Sequence, residues 1–174
     1  LWIALVPLWR LSWWGGALWG AAAVLVSHRW LLALHPLDWL GVPALLSAPL
    51  VVTLWLICGA AAALLVGLWC ALVQRVGPGR LSTAFTAAWL WALVELLLAK
   101  GPLFWIGLGV APLPGDRWLA GLAWFGGAPL LAALQLLISW LLWRLRWRAL
   151  LLVLLVVHGL GAAALAAVPT AGAA

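Results

Sequence analysis

Long apolar runs, separated by short clusters of Pro, Gly and charged residues, dominate the hydropathy pattern of this chain. About twenty apolar residues in an α-helix are enough to cross the hydrocarbon core of a bilayer. The pattern therefore predicts an all-α integral membrane fold, a multispan transmembrane helix bundle in which residues 1–174 form one transmembrane domain. We place five complete spans at about 13–34, 49–73, 81–99, 118–143 and 149–168, and a partial span at 1–9.

The composition agrees with this assignment. The 174 residues are 69% hydrophobic and 7% charged, whereas a soluble domain is about half apolar and about a quarter charged. Seventeen tryptophans suit a chain with many positions at the level of the lipid headgroups. No methionine is present, and the opening "LWIALVPLWR" resembles the end of an apolar segment. We therefore expect the sequence to be a fragment that begins within a helix.

Charge predicts the orientation of the spans. Six arginines and no acidic residue lie in the connections that follow 1–9, 49–73 and 118–143, whereas the other side carries a balanced set of charges. Because cytoplasmic loops carry an excess of Lys and Arg, these connections are predicted to be cytoplasmic. The connections 35–48 and 100–117 and the carboxyl-terminal end are then on the outer side of the membrane. The net charge of +6 thus reflects membrane topology, and we expect no binding of nucleic acid, which would need a basic solvated face.

The two connections on the opposite side, 35–48 and 100–117, mix Pro and Gly with Trp and aliphatic residues. Non-helical backbone cannot face hydrocarbon with its polar groups unsatisfied. We therefore expect both connections to lie at headgroup depth and to pack on the ends of helices. A phospholipid of the outer leaflet would be handled there.

Ionisable residues within membrane spans are candidates for a functional role. Glu95 lies about one turn from the end of its span. It is either a hydrogen-bond anchor or charge at the outer working surface, or a carboxylate that reaches interfacial water or pairs with Lys100. Lys100 is expected to extend to the headgroups. His158 is isolated in the last span and is expected to serve helix packing.

The stretch "HPLDWLGVP" places His35 and Asp38 three residues apart, which would permit a catalytic pair. A role in shaping the turn is favoured, because Asp is a common turn residue and Pro ends helices. Trp39 is expected to contribute to an apolar plug at the interface.

No motif for nucleotide binding or nucleophilic catalysis is present. Three histidines and two cysteines, scattered along the chain, do not have the spacing of a metal site. Cys58 and Cys70 lie in one apolar run and are expected to behave as small hydrophobic residues. The sequence therefore predicts no catalytic residue, no metal and no cofactor in these residues.

Several stretches, taken in order, resemble apolipoprotein N-acyltransferase, the bacterial inner-membrane enzyme that completes lipoprotein maturation. They are "WIALVPLW", "GALWGAAAVLVSHRWLLALHPLDWLGVP", "AWLWALVELLLAKGPLFWIGLGVAP" and "LAGLAWFGGAPLLAALQLLISWLL". In the third stretch, Glu95, Lys100, Gly101 and Trp105 occupy the places of the family's glutamate, basic-Gly pair and FPW-type turn. The family's usual arginine is Lys100 here, and its FPW turn is replaced by "PLFW".

The resemblance implies a membrane part of an enzyme whose chemistry lies elsewhere. The family's Glu–Lys–Cys triad belongs to a periplasmic nitrilase-like domain that follows the membrane spans, and none of it can be placed on these residues. In that family a cysteine thiolate takes an acyl chain from a phospholipid and passes it to the amino group of a lipoprotein's diacylglyceryl-cysteine. The implied partners are the phospholipid acyl donor, the diacylglyceryl-lipoprotein acceptor and membrane lipids, and we expect a monomer. The candidate residues for contact with lipid or substrate are Glu95, Lys100, Trp105, His35, Asp38 and Trp39.

Two other classes of function remain as alternatives. A small multispan transporter would need polar residues along a path and often shows inverted repeats, and the sequence shows neither. A non-enzymatic membrane scaffold is compatible with the composition.

Overall fold

The computed structural model describes residues 2–101, 107–113 and 115–167, and these are mainly helical, with no β-strand among them. The α-helices in this part of the chain are α1 (Trp2–Leu5), α2 (Trp13–Ser27), α3 (Ala44–Val76), α4 (Leu81–Leu98), α5 (Arg117–Gly121), α6 (Ala123–Trp143) and α7 (Trp147–Ala166). Short 3-10 turns cover Val6–Trp9, Arg29–Leu34, Asp38–Leu40 and Leu108–Val110. The predicted all-α class is confirmed.

Four helices of the described chain, α3, α4, α6 and α7, are long and apolar enough to cross a membrane. Their outward faces carry leucines such as Leu45 and Leu155, which are 86% and 73% exposed, as expected where lipid is the solvent. The chain is a multi-pass membrane protein. The prediction of five complete spans is not confirmed, because α2 is an apolar helix of only 15 residues.

The region predicted as one span at 13–34 contains two different elements. Ser12 caps the start of α2 by accepting a hydrogen bond from the Gly15 amide, and the α-helix ends at Ser27. A 3-10 turn follows over Arg29–Leu34. The next helix, α3, begins at Ala44, so the last residues of the connection predicted at 35–48 are helical.

The described residues form two compact units, one of Arg10–Arg75 and the other of Leu1–Trp9 with Val76–Ala174. In the Arg10–Arg75 unit, α2 and α3 approach closely. The glycines Gly16 and Gly20 of α2 face Cys70, Val66 and the backbone of Ala62 in α3. The indole of Trp55 donates a 2.8 Å hydrogen bond to the carbonyl oxygen of Leu25, which ties the two helices together near the end of α2.

In the other unit, α6 forms the centre and packs against α4, α7 and α1. Its buried face carries Trp140, Leu136 and Ile138. Two tryptophan indoles form hydrogen bonds that join this face of α6 to neighbouring segments. Trp9 donates to the hydroxyl of Ser139 at 2.9 Å, and Trp140 donates to the carbonyl oxygen of Pro78 at 2.7 Å.

The region predicted as one span at 118–143 is interrupted. The short helix α5 ends at Gly121, and within α6 the residues Gly126 and Gly127 leave the helical conformation. Gly127 has a φ of 62°, in the left-handed region that glycine adopts without steric cost. Pro129 follows within the first turn of the resumed helix, where its missing N–H costs no hydrogen bond.

Helices α5 and α7 pack at backbone contact. A Cβ atom placed on Gly161 of α7 would overlap the carbonyl oxygen of Trp118 in α5, and one on Gly121 would overlap the carbonyl of Gly161. Small residues allow transmembrane helices to approach in this way. The close approach sets the position of the amino-terminal end of α5 against α7.

We predict that Gly161→Ala destabilises the protein by about 1–3 kcal/mol, because the added methyl group forces the α5 and α7 backbones apart. Gly159→Ala is the matched control, since it makes the same change in the same helix with no atom within 4 Å of the new Cβ. The control should be neutral or stabilising by about 0.5–1 kcal/mol, through helix propensity. Unfolding in mixed micelles by titration with SDS measures both, and equal effects of the two substitutions would contradict the packing described here.

Candidate functional site

The Glu95 carboxylate, at the end of α4, is the centre of a polar cluster within an apolar surrounding. Glu95 is 4% exposed. One carboxylate oxygen accepts hydrogen bonds from the Trp91 indole at 2.9 Å and from the Leu108 amide at 2.5 Å. The other accepts a hydrogen bond from the Gly109 amide at 3.2 Å. Three N–H donors thus compensate the removal of this charged group from water.

The turn Leu108–Val110 that Glu95 binds is also held from the side of α6. The side-chain amide of Gln135 donates a 2.8 Å hydrogen bond to the carbonyl oxygen of Leu108. Gly109 lies directly on α6, where a Cβ atom would overlap the carbonyl group of Ala128. The turn Leu108–Val110 is therefore held by α4 through two backbone amides. It is held by α6 through a carbonyl oxygen and a glycine contact.

Lys100, also predicted in this connection, does not join the cluster. Lys100 is exposed, and among the residues that the structure describes no ion pair links it to Glu95. Trp105 lies outside the described residues. Of the two roles considered for Glu95, the observed hydrogen bonds are those of an anchor.

In the Arg10–Arg75 unit, His35, Asp38 and Trp39 lie on one connection but have separate partners. The Nδ1 atom of His35 lies 2.8 Å from the hydroxyl oxygen of Ser47, which also accepts a hydrogen bond from the Leu37 amide. The carboxylate of Asp38 accepts a hydrogen bond from the Trp39 amide at 3.0 Å. His35 and Asp38 therefore do not form a pair in this structure. Trp39 is 67% exposed.

The structure pairs two residues that the sequence did not connect. The Nε2 atom of His158 lies 3.0 Å from the Asp116 carboxylate, and Nδ1 lies 2.8 Å from the carbonyl oxygen of Leu154. Both ring nitrogens of His158 therefore lie within hydrogen-bond distance of an oxygen atom. Asp116 also caps α5 by accepting from the Leu119 amide. No signal in the sequence links these positions, which are 42 residues apart.

The His158 ring borders an open apolar groove of about 520 Å³ on the surface of α7. The ring makes edge-on contacts with the indoles of Trp2 and Trp118, at centroid distances of 5.9 and 6.5 Å. Helix packing, expected for His158, is thus one part of its environment, and the contact with the Asp116 carboxylate is the other. The described residues contain no group of three possible metal ligands.

Gln135 was also missed by sequence analysis, although a signal for it exists. It is a polar residue in the apolar run "LAALQLLIS" and is fully buried. A buried side-chain amide in an apolar helix needs a hydrogen-bond partner, and the Leu108 carbonyl provides it.

Comparison with known proteins shows which proteins the chain resembles. The chain is 58% identical over 137 residues to a protein of Prochlorococcus marinus (strain MIT 9313) named apolipoprotein N-acyltransferase. Proteins with the same name from Parasynechococcus marenigrum (strain WH8102) and from a second strain of Prochlorococcus marinus (SARG / CCMP1375) are 49% and 45% identical to it. This chain is homologous to part of apolipoprotein N-acyltransferase.

The alignments cover 74%, 88% and 83% of the chain, but only 28%, 35% and 32% of the three apolipoprotein N-acyltransferases. The chain thus spans about a third of the length of these relatives. No family model matches it, and no solved structure does so. The resemblance of the sequence to the apolipoprotein N-acyltransferase family is confirmed by these relatives.

We predict that Glu95→Gln lowers the free energy of unfolding by about 1–3 kcal/mol, because an amide offers only one acceptor oxygen and leaves a buried N–H donor without a partner. Hydrogen exchange at the Leu108 and Gly109 amides should accelerate in the same variant. Lys100→Gln is the control, since this exposed side chain should change stability by no more than about 0.5 kcal/mol. Unchanged amide exchange in Glu95→Gln would show that the carboxylate does not hold the turn.

Proposed function

We propose that this chain forms the membrane-anchoring and lipid-access part of an apolipoprotein N-acyltransferase in a bacterial inner membrane. The observation that carries the proposal is the identity of 58% and 49% to proteins of that name over most of the chain. Four helices long and apolar enough to cross a membrane support the anchoring role.

In this proposal the chain contributes to transfer of a fatty acyl chain from a phospholipid to the amino-terminal diacylglyceryl-cysteine of a lipoprotein. The transfer proceeds through a thioester on a cysteine, so that one difficult step becomes two easier ones. The nucleophile and its Glu and Lys partners belong to a region outside these residues. Cys58 and Cys70 both lie within α3, and Cys70 is buried against Gly16, so we do not assign the nucleophile to either of them.

The Glu95 cluster would have a structural role in this function and would not take part in the chemistry. It fixes the turn Leu108–Val110 on α4 and α6, and so gives a defined shape to the connection where two lipid substrates would enter from the bilayer. The exposed Lys100 would contact headgroups beside it, together with Trp105. On the other connection, the exposed His35, Asp38 and Trp39 would line the membrane surface.

We further propose that the connections rich in arginine are cytoplasmic, whereas 35–48 and 100–117 are periplasmic. The support is the charge asymmetry, since Lys and Arg accumulate on cytoplasmic loops. With this orientation the Glu95 cluster lies at the periplasmic surface, where the outer-leaflet phospholipid is found.

A chimera tests the proposed function. The matched region of the relative from Prochlorococcus marinus (strain MIT 9313) is replaced by this chain, and the product is expressed in bacteria depleted of their own enzyme. We expect N-acylation of a lipoprotein's amino-terminal cysteine, detected by mass spectrometry, to be retained within about tenfold of the parent, since tenfold in rate corresponds to about 1.4 kcal/mol of transition-state stabilisation.

Two controls make the chimera informative. Substitution of Cys58→Ala and Cys70→Ala together should leave acylation unchanged, because neither thiol takes part. An unrelated multispan segment in the same place should abolish it. Loss of acylation in a chimera that is correctly inserted and expressed would contradict the proposal and favour the scaffold alternative.

The orientation is tested with single cysteines in the background without Cys58 and Cys70. Gly115→Cys occupies open space and should react with a membrane-impermeant maleimide on intact spheroplasts. Arg148→Cys should react only after permeabilisation, because it lies on the opposite side. The reverse pattern would overturn the assignment of sides.

A further inference from the structure

Four exposed arginines gather at one end of the unit that contains α4, α6 and α7. We call them the arginine cluster: Arg80, Arg144, Arg146 and Arg148. They lie where α6 ends and where α4 and α7 begin. The negative end of the α6 dipole also lies there and opposes the positive ends of α4 and α7, so the positive potential comes mainly from the four guanidinium groups.

Two turns that are far apart in sequence are joined to make this cluster. The hydrogen bond from the Trp140 indole to the carbonyl oxygen of Pro78 holds the turn before α4 against the end of α6. A Cβ atom on Gly79 would lie 3.7 Å from the Nη1 atom of Arg144. The Arg80 turn and the Arg144 guanidinium are therefore neighbours.

Two of the guanidinium groups are supported by tryptophan rings. Arg144 lies 5.4 Å from the ring centroid of Trp143, and Arg146 lies 5.4 Å from that of Trp140. Between them, Leu145 has a φ of 52°, a conformation that residues other than Gly, Asn and Asp adopt rarely. The backbone and the indoles thus restrict both arginines before any ligand binds, which reduces the entropy that binding costs.

The cluster has no acidic counterpart in its own unit. The whole chain has three acidic residues, of which Glu95 and Asp116 belong to this unit and are engaged in the contacts described above. Glu95 is separated from Arg80 by fifteen residues, or about 22 Å along α4. Among the described residues, no ion pair involves an arginine of the cluster.

The position along the helices indicates what supplies the missing negative charge. The cluster lies directly at the ends of apolar helices, with Trp147 exposed beside it, and tryptophan at helix ends marks the level of the headgroups. Phosphate groups of lipids are the anions present at that depth. Guanidinium groups bind phosphate through paired hydrogen bonds.

We propose that the arginine cluster is a binding site for the headgroup of an anionic phospholipid, with Arg144 and Arg146 as its central residues. The site lies at the opposite end of α4 from the Glu95 cluster, and it does not depend on the proposed acyltransferase function. Its occupant is a resident lipid whose negative headgroup neutralises positive charge at this end of the helices.

Native mass spectrometry of the complete chain in neutral detergent tests the proposal, with dioleoylphosphatidylglycerol and dioleoylphosphatidylcholine as probes. We expect the anionic lipid to bind at least tenfold more tightly than the zwitterionic one. Each arginine near an anionic lipid surface contributes about fivefold in affinity, so the double variant Arg144→Gln, Arg146→Gln should bind phosphatidylglycerol roughly 30-fold more weakly.

Arg117→Gln is the matched control, because it removes one exposed arginine from the same unit at the end of the molecule near Asp116. It should leave the affinity for phosphatidylglycerol unchanged. If the double variant does not fold, as judged by circular dichroism, Arg80→Gln and Arg148→Gln tested singly carry the same prediction, with a loss of about fivefold each. Equal binding of the two lipids, or an equal loss in Arg117→Gln and in the cluster variants, would overturn the proposal.

Discussion

The turn Leu108–Val110 between α4 and α5 depends on the hydrogen bonds that it makes to the Glu95 carboxylate. Backbone N–H groups outside a helix must find partners at membrane depth, and here the amides of Leu108 and Gly109 find them in a side chain of α4. The hydrogen bonds between the carboxylate and the amides offset the cost of burying each of these groups. Gln135 donates a hydrogen bond to the Leu108 carbonyl oxygen, so that the turn is held from both α4 and α6.

Glycine makes the second contribution to this architecture, by allowing backbones to touch. Gly109 seats the turn on α6, and Gly161 lets α5 approach α7. The latter contact carries Asp116, the cap of α5, to within 3.0 Å of His158 in α7. The contact between Asp116 and His158 and the backbone contact between Trp118 and Gly161 therefore join the same two helices.

Hydropathy alone predicted the helical class and the approximate limits of 81–99 and 149–168, because long apolar runs leave few other solutions in lipid. It did not predict that α2 ends at Ser27 or that α6 breaks at Gly126 and Gly127, since such breaks change backbone conformation without changing hydrophobicity. Glu95 was recognised as a candidate because it is an acid in an apolar run. Its partners, and the pairing of Asp116 with His158, depend on contacts between distant helices, which one sequence does not reveal.

The length of α3 has a consequence for the bilayer itself. Its 33 residues extend over about 50 Å, whereas a hydrocarbon core is about 30 Å thick. Such a helix fits only by inclining strongly, by raising an end into the headgroups or by thickening the lipid around it. The height of the His35–Leu40 connection relative to the headgroups therefore depends on the thickness of the surrounding bilayer.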